Sequence, residues 1–151
     1  MKQALLAAII GTSTLLASGP AAAQAKPEDV IKFRKALMVM QSNSLRPIAV
    51  MAKGQRPYDK DIVIRNAAML ELTGKMMMEA MAAGSDKGAE TRAKPEIWSD
   101  AADFKKISDN FTAEASKLSE LAKTGNFDAI RGQLGAVIKS CDACHDNYRS
   151  K

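Results

Sequence analysis

Apolar residues recur at steps of three and four along most of the chain, the spacing of one face of an α-helix. Val30, Phe33, Leu37 and Met40 set the first stripe, opened by Pro27-Glu28-Asp29. Proline suits a first helical turn, and the two acids suit the positive end of the helix dipole. Pro47 is expected to kink this segment or end its regular part, and Gly54 with Pro57 closes it, leaving a turn over residues 52–58. Asp59 reads as the N-cap of a second helix, whose stripe Val63, Ala67, Leu70, Met77 and Met81 runs to Gly84 with Gly74 in the missing place. Residues 85–97, carrying Gly88, Pro95 and several charges, form the longest connection and are expected to be the most exposed part. Ser99 or Asp100 caps a third helix, with Phe104, Ile107, Phe111, Leu118 and Leu121 on one face up to Lys123-Thr124-Gly125. Asn126 starts a fourth, in which Phe127, Ile130, Leu134, Val137, Cys141, Cys144 and Tyr148 alternate by threes and fours without a break.

Four amphipathic helices, each with one apolar stripe and mostly short turns between them, predict an all-α fold: an antiparallel up-down-up-down four-helix bundle. Composition agrees. An aromatic share of 5% with abundant Ala, Lys, Met and Leu favours helix over sheet. A hydrophobic share of 46% over 151 residues excludes disorder, and two cysteines exclude a disulfide-stapled miniprotein. The formal charge of +5 is dispersed among acids, with no basic cluster interleaved with stacking aromatics, so a nucleic-acid partner is not expected.

The first residues read as an address. Met1-Lys2-Gln3 supplies a positive start, Ala4 to Ala17 an apolar stretch, and Ala21-Ala22-Ala23 a small-residue cleavage site before Gln24. Residues 1–23 are therefore predicted to be a cleaved signal peptide and residues 24–151 the mature, exported, periplasmic domain. A membrane span needs about 20 apolar residues, and Gly11-Thr12-Ser13-Thr14 interrupts this stretch. No cysteine follows it to carry a lipid, so no membrane anchor is expected.

The chemistry is concentrated in Cys141-Asp142-Ala143-Cys144-His145, which has the spacing of a covalent c-type haem attachment site. Two thiols add to the haem vinyl groups and the adjacent imidazole binds the iron. On a helix, positions i, i+3 and i+4 share a face, so both sulfurs and the ring can address one haem without unwinding the backbone. A thioredoxin-type dithiol belongs beside a βαβ pattern that is missing here, and structural zinc normally takes four Cys or His ligands where this chain has two cysteines and one histidine. A Cys141-Cys144 disulfide would close a loop too small to constrain much of the chain. Because His145 is the sole histidine, a bis-histidine haem within one chain is excluded. Gly132 and Gly135, inside the fourth helix, each cost about 1 kcal/mol relative to Ala and read as places where a neighbouring helix or the haem packs closely.

With this motif at the end of a bundle and followed by Tyr148-Arg149, the chain resembles cytochrome c′. Further matching segments are Lys26-Pro27-Glu28-Asp29 with Phe33-Arg34, Ala52-Lys53-Gly54 with Pro57-Tyr58-Asp59, and residues 94–104. The resemblance spans residues 24–151. It implies one haem c per chain, usually a homodimer, His145 as the axial iron ligand, and typically no strong ligand on the other side. It also implies nitric oxide and carbon monoxide binding, or electron transfer with redox protein partners. By position, Met38 falls where the family places the distal residue, Arg34 matches an arginine directed toward a haem propionate, and Arg149 matches a basic residue on the proximal side.

The residues allow alternatives. Arg34 is on the same helical face as Met38 and suits an anionic propionate, or it is a solvated surface charge; Arg149 sits at a chain end that can be mobile. Met38 is one of nine methionines, most of them suited to filling a core. Met76, Met77 and Met78 cannot share one helix face, so at least one is expected outward, at a subunit interface. Over the iron, Met38 either blocks a vacant sixth position, giving a high-spin gas-binding protein, or ligates it, giving a low-spin His/Met electron carrier. An apolar methionine offers no hydrogen-bond donor, which disfavours bound dioxygen. A peroxidase-like enzyme would want a distal acid-base group, and no second histidine exists, so no enzymatic activity is expected.

Overall fold

The computed structural model describes residues 25–151; the predicted leader, residues 1–23, lies outside them. Four long helices account for most of the chain: α1 (Pro27–Ala52), α2 (Lys60–Lys75), α3 (Ala101–Thr124) and α4 (Phe127–Tyr148). A 3-10 turn at Glu79–Met81 and a one-turn helix at Glu96–Ser99 lie in the α2–α3 connection. Among the described residues there is no strand, only one isolated antiparallel bridge between Ala93 and Arg149. Short links at 53–59 and 125–126 make consecutive helices antiparallel. None of these helices is long and apolar enough to cross a membrane.

Local chemistry sets the helix ends. The side chains of Asp59 and Asn126 accept from Ile62 N at 3.0 Å and Ala129 N at 3.1 Å, capping α2 and α4 as expected. Asp100 occupies the N-cap of α3 without a side-chain bond. Gly125, at φ +77°, stops α3 in the left-handed conformation that favours glycine. Pro47 does not end α1, which continues to Ala52. Proline removes one N–H, and the carbonyl it leaves belongs to exposed Asn43, where water can satisfy it. The expected first stripe also shifts: Val30 and Leu37 are buried, whereas Phe33 is half-buried and Met40 exposed.

The second helix is shorter than its apolar stripe. It ends at Lys75, not Gly84, so Met77 and Met81 are buried from a turn and a 3-10 element. The backbone beyond Lys75 is diverted to other donors: Ala80 O accepts from Arg34, and the carbonyls of Met81 and Ala82 accept from the Trp98 indole. Of the three consecutive methionines, Met77 is buried and Met78 faces out. Gly74 fills its place in the stripe for a packing reason, because a Cβ there would lie 3.1 Å from both Phe111 Cε1 and Thr112 Oγ1. α2 and α3 are thereby allowed to approach closely.

Packing runs α1 to α2, α2 to α3 and α3 to α4, while α1 and α4 meet only marginally. One apolar cluster, built on Ile48, Val63, Leu70, Phe111, Leu118 and Ile130, closes the end of the bundle near the short turns. A second, with Met77, Met81, Ile97, Phe104 and Tyr148, closes the other end. The gap between α1 and α4 lies beside both.

The 85–97 connection is not uniformly exposed. Residues 86–90 are solvated, but Ser85 and Ile97 are buried, and the backbone is clasped to the C-terminus by Lys94 N to Tyr148 O and Ser150 N to Arg92 O, each 2.9 Å. Gly132 and Gly135 differ from expectation too. A Cβ at either would meet nothing within 4 Å, and neither lines the cavity described below, so neither helix packing nor haem packing requires them.

Candidate haem site between the first and last helices

The gap between α1 and α4 opens into a cavity of about 590 Å³, within the range of small-molecule and cofactor sites. Every site residue expected from the sequence lines it: Arg34 and Met38 from α1, Cys141, Cys144 and His145 from α4, and Arg149 just beyond. The unbroken α4 seam explains the second group, since Ile130, Leu134 and Val137 anchor one face and the next positions on that face are Cys141, Cys144 and Tyr148. Val39 and Ile138, both exposed, stand on opposite helices at the rim.

Both cysteines are half-buried, and they are not joined to each other in a disulfide. Burial pushes each up to about 11, with the Asp142 charge adding to the effect at Cys141. At neutral pH they are protonated and poorly nucleophilic. Burial also lowers His145 from its ordinary value, and the Arg149 charge adds to this; Asp142 and Asp146 oppose it only in part. A neutral imidazole is the form that binds iron. No cluster of three or more His, Cys, Asp or Glu side chains suited to a metal ion occurs among the described residues. Two thiols and one imidazole on the wall of a single cofactor-sized cavity fit haem c.

Arg34 is only 4% exposed, which removes the solvated-surface alternative. Its Nη1 donates to Ala80 O (3.2 Å) and Ser85 Oγ (3.0 Å), and Nη2 to Ser85 O (2.8 Å) and Thr91 Oγ1 (2.9 Å). The guanidinium lies over Trp98 at 5.6 Å. Burial lowers its pKa, and the ring of acceptors carries the charge. Arg34 thus ties α1 to the 80–91 segment as well as facing the cavity. Two further basic groups at the cavity, Lys35 and Arg92, are exposed and were not singled out in the sequence.

Thr91 and Gln41, on the cavity wall, also escaped the sequence reading. Thr91, and Trp98 against Arg34, are positioned by the long connection, for which the sequence carries no periodic signal. Gln41 lines the cavity one turn past Met38, and its Nε2 is buried without a hydrogen-bond partner. The cavity wall around Met38 therefore contains a donor, where the sequence led to the expectation of an apolar methionine surface. Its signal was a polar residue in an otherwise cavity-facing stripe.

Tyr148 closes the floor of the site. Its ring packs edge-on against Phe104 at 5.2 Å, and its hydroxyl donates to Asp103 Oδ2 at 2.8 Å. Burial and the Asp103 carboxylate push the phenol up to about 12, above the ordinary value near 10. The folded state prefers the protonated phenol, so this contribution is fully present below pH ~10 and is lost as pH rises toward 12. Thermal melting between pH 9 and 12 is expected to show this alkaline loss in the wild type and a smaller one in Tyr148→Phe. Equal slopes for the two proteins would refute it.

A family profile described as Cytochrome C' matches residues 29–149. A cytochrome c' from Rubrivivax gelatinosus is 37% identical over 126 residues, covering 83% of this chain and 98% of the relative. Two solved structures of variants of cytochrome c prime from Alcaligenes xylosoxidans, one a nitric oxide complex and one with carbon monoxide bound, superpose with TM-scores of 0.77. Each is 37% identical and covers 84% of this chain and 98% of the other. Family profile, full-length relatives, bundle and the placement of the CxxCH residues agree, and the chain belongs to the cytochrome c′ family.

Proposed function

We propose that the chain is an exported, periplasmic c-type haem protein whose five-coordinate, high-spin iron binds nitric oxide and carbon monoxide and takes part in electron transfer. The observation that carries this reading is that Cys141, Cys144, His145 and Met38 all face one cofactor-sized cavity. Haem bound there supplies a redox-active iron with an open coordination position for a diatomic gas. Cys141 and Cys144 hold it covalently, each S–H adding across a vinyl double bond, so that a thioether forms with no oxidant consumed. His145 presents its neutral ring from α4. Met38, half-buried on α1, faces the same recess as His145 from the opposite wall and restricts the space a ligand can enter. With four of the five N–H groups of Arg34 committed to the protein, the exposed Arg92, Lys35 and Arg149 supply the remaining positive charge for the propionates. No member of this set is a distal acid-base group, which supports a carrier rather than an enzyme.

Optical spectra of the ferric and dithionite-reduced protein, with and without carbon monoxide, test the reading. A high-spin ferric spectrum and a ready carbon monoxide adduct are expected, and Met38→Ala is expected to speed gas binding with little change in spin state. A methionine-to-iron charge-transfer band in the wild type, lost in Met38→Ala, would establish the low-spin His/Met electron carrier in its place.

The same reading includes a homodimer through α1 and α2. Met40 on α1, Leu72 on α2 and Met78 just after it are large apolar side chains left exposed on the two helices that pack together. Sedimentation at micromolar concentration is expected to give twice the chain mass, and a monomer there would remove the dimer from the proposal.

A further inference from the structure

Gln41 is out of keeping with its surroundings. Arg34, Met38, Gln41 and Leu45 follow at steps of four, three and four along α1, and all four line the cavity. Arg34 has its hydrogen bonds satisfied by the chain; Gln41 does not. Its Nε2 is withdrawn from solvent and bonded to nothing, and it is the one such side-chain nitrogen or oxygen among the described residues. Native proteins rarely leave a buried donor unpaired, and an orphan amide in a ligand cavity points to a partner that arrives with the ligand.

The place of that partner follows from the walls. A narrow recess that shares these residues with the site has Met38 and Gln41 of α1 and Cys141, Cys144 and His145 of α4 in its walls. Ser140, also in the recess, donates to Val137 O at 2.7 Å and gives Gln41 nothing. The amide and the imidazole thus face the same slot from opposite helices.

We propose that Gln41 is the distal hydrogen-bond donor of this chain: with haem between the two walls, Nε2–H donates to a diatomic ligand on the iron and sets how long it is held. The proposal rests on the haem reading above. A half-turn of the terminal amide would present its carbonyl oxygen, but the partial negative charge of a bound diatomic selects the N–H. Nitric oxide gains more from this donor than carbon monoxide, because its ferrous adduct puts more negative charge on the outer atom. Gln41 is then a specificity-determining residue, and Met38 beside it limits space while Gln41 supplies polarity.

The test compares wild type with Gln41→Met, which conserves length and removes the donor, and with Gln41→Leu as an independent second variant. The infrared C–O stretch of the ferrous carbon monoxide complex reports the field at the ligand. It is expected at lower frequency in wild type and to rise in both variants, and nitric oxide is expected to leave the variants roughly threefold to tenfold faster. Thermal melting of the variants is expected to be no lower than wild type, since an unpaired amide is replaced by an apolar side chain. An unchanged stretch and unchanged nitric oxide dissociation would overturn the role of Gln41 while leaving the haem reading intact. A wild type that carries haem covalently but forms no gas adduct would overturn both the gas-binding reading and the Gln41 assignment.

Discussion

Replacing Cys141 and Cys144 together with alanine is expected to abolish covalent haem completely, the largest change any substitution in this chain should produce. Both cysteines line the same cofactor-sized cavity, and no other cysteine exists to substitute for them. Mass spectrometry of chain made alongside haem maturation factors reads the outcome directly. Wild type should carry the mass of one haem and the double variant only its polypeptide mass. His145→Ala should keep the haem mass, because the thioethers are untouched, but lose the normal axial ligand and with it the characteristic spectrum. A wild-type chain at bare polypeptide mass would sink the attachment proposal.

Arg34→Ala should be the most damaging substitution for stability among the charged residues. It deletes a nearly buried guanidinium and strands Ala80 O, Ser85 Oγ, Ser85 O and Thr91 Oγ1 without their donor. Hydrogen bonds to a charged group contribute about 1.5–3 kcal/mol each but do not add independently, so a loss of about 3 kcal/mol or more is expected. In a bundle of this size that lowers the melting temperature by roughly 10 °C. Arg34→Lys should recover only part, because one ammonium cannot reproduce the planar fork that reaches both the Ser85 and Thr91 acceptors. Amide exchange across residues 79–91 should accelerate in both variants. Melting of Arg34→Ala within a degree or two of wild type would show that the clamp contributes little.

Regular structure was legible because it is periodic. The α4 seam from Phe127 to Tyr148 announces both a helix and the face on which Cys141, Cys144 and His145 sit, and the Asp59 and Asn126 caps act as they read. Periodicity also misled. The stripe through Met77 and Met81 continues past the end of α2, into backbone that is no longer α-helical and whose carbonyls at residues 80–82 accept from Arg34 and Trp98, both remote in sequence. The 85–97 connection reads as open loop because no local signal records that Ser85 is buried under Arg34 or that Arg92 and Lys94 bond to the C-terminus. Gly132 and Gly135 carry a strong signal with no counterpart in packing, and nothing in the structure explains them. Gln41 was visible as a letter but not as a function, since only its missing partner distinguishes it from a surface amide.

The marginal contact between α1 and α4 makes the cofactor part of the packing. α1 is held to the rest of the chain by α2 and by the Arg34 bonds to residues 80–91, while the cavity lies on the side it shares with α4. Haem attached to Cys141 and Cys144 would lie between these two helices, so the fourth seam of the bundle would be made through the cofactor, and loading the site would fasten α1 to α4.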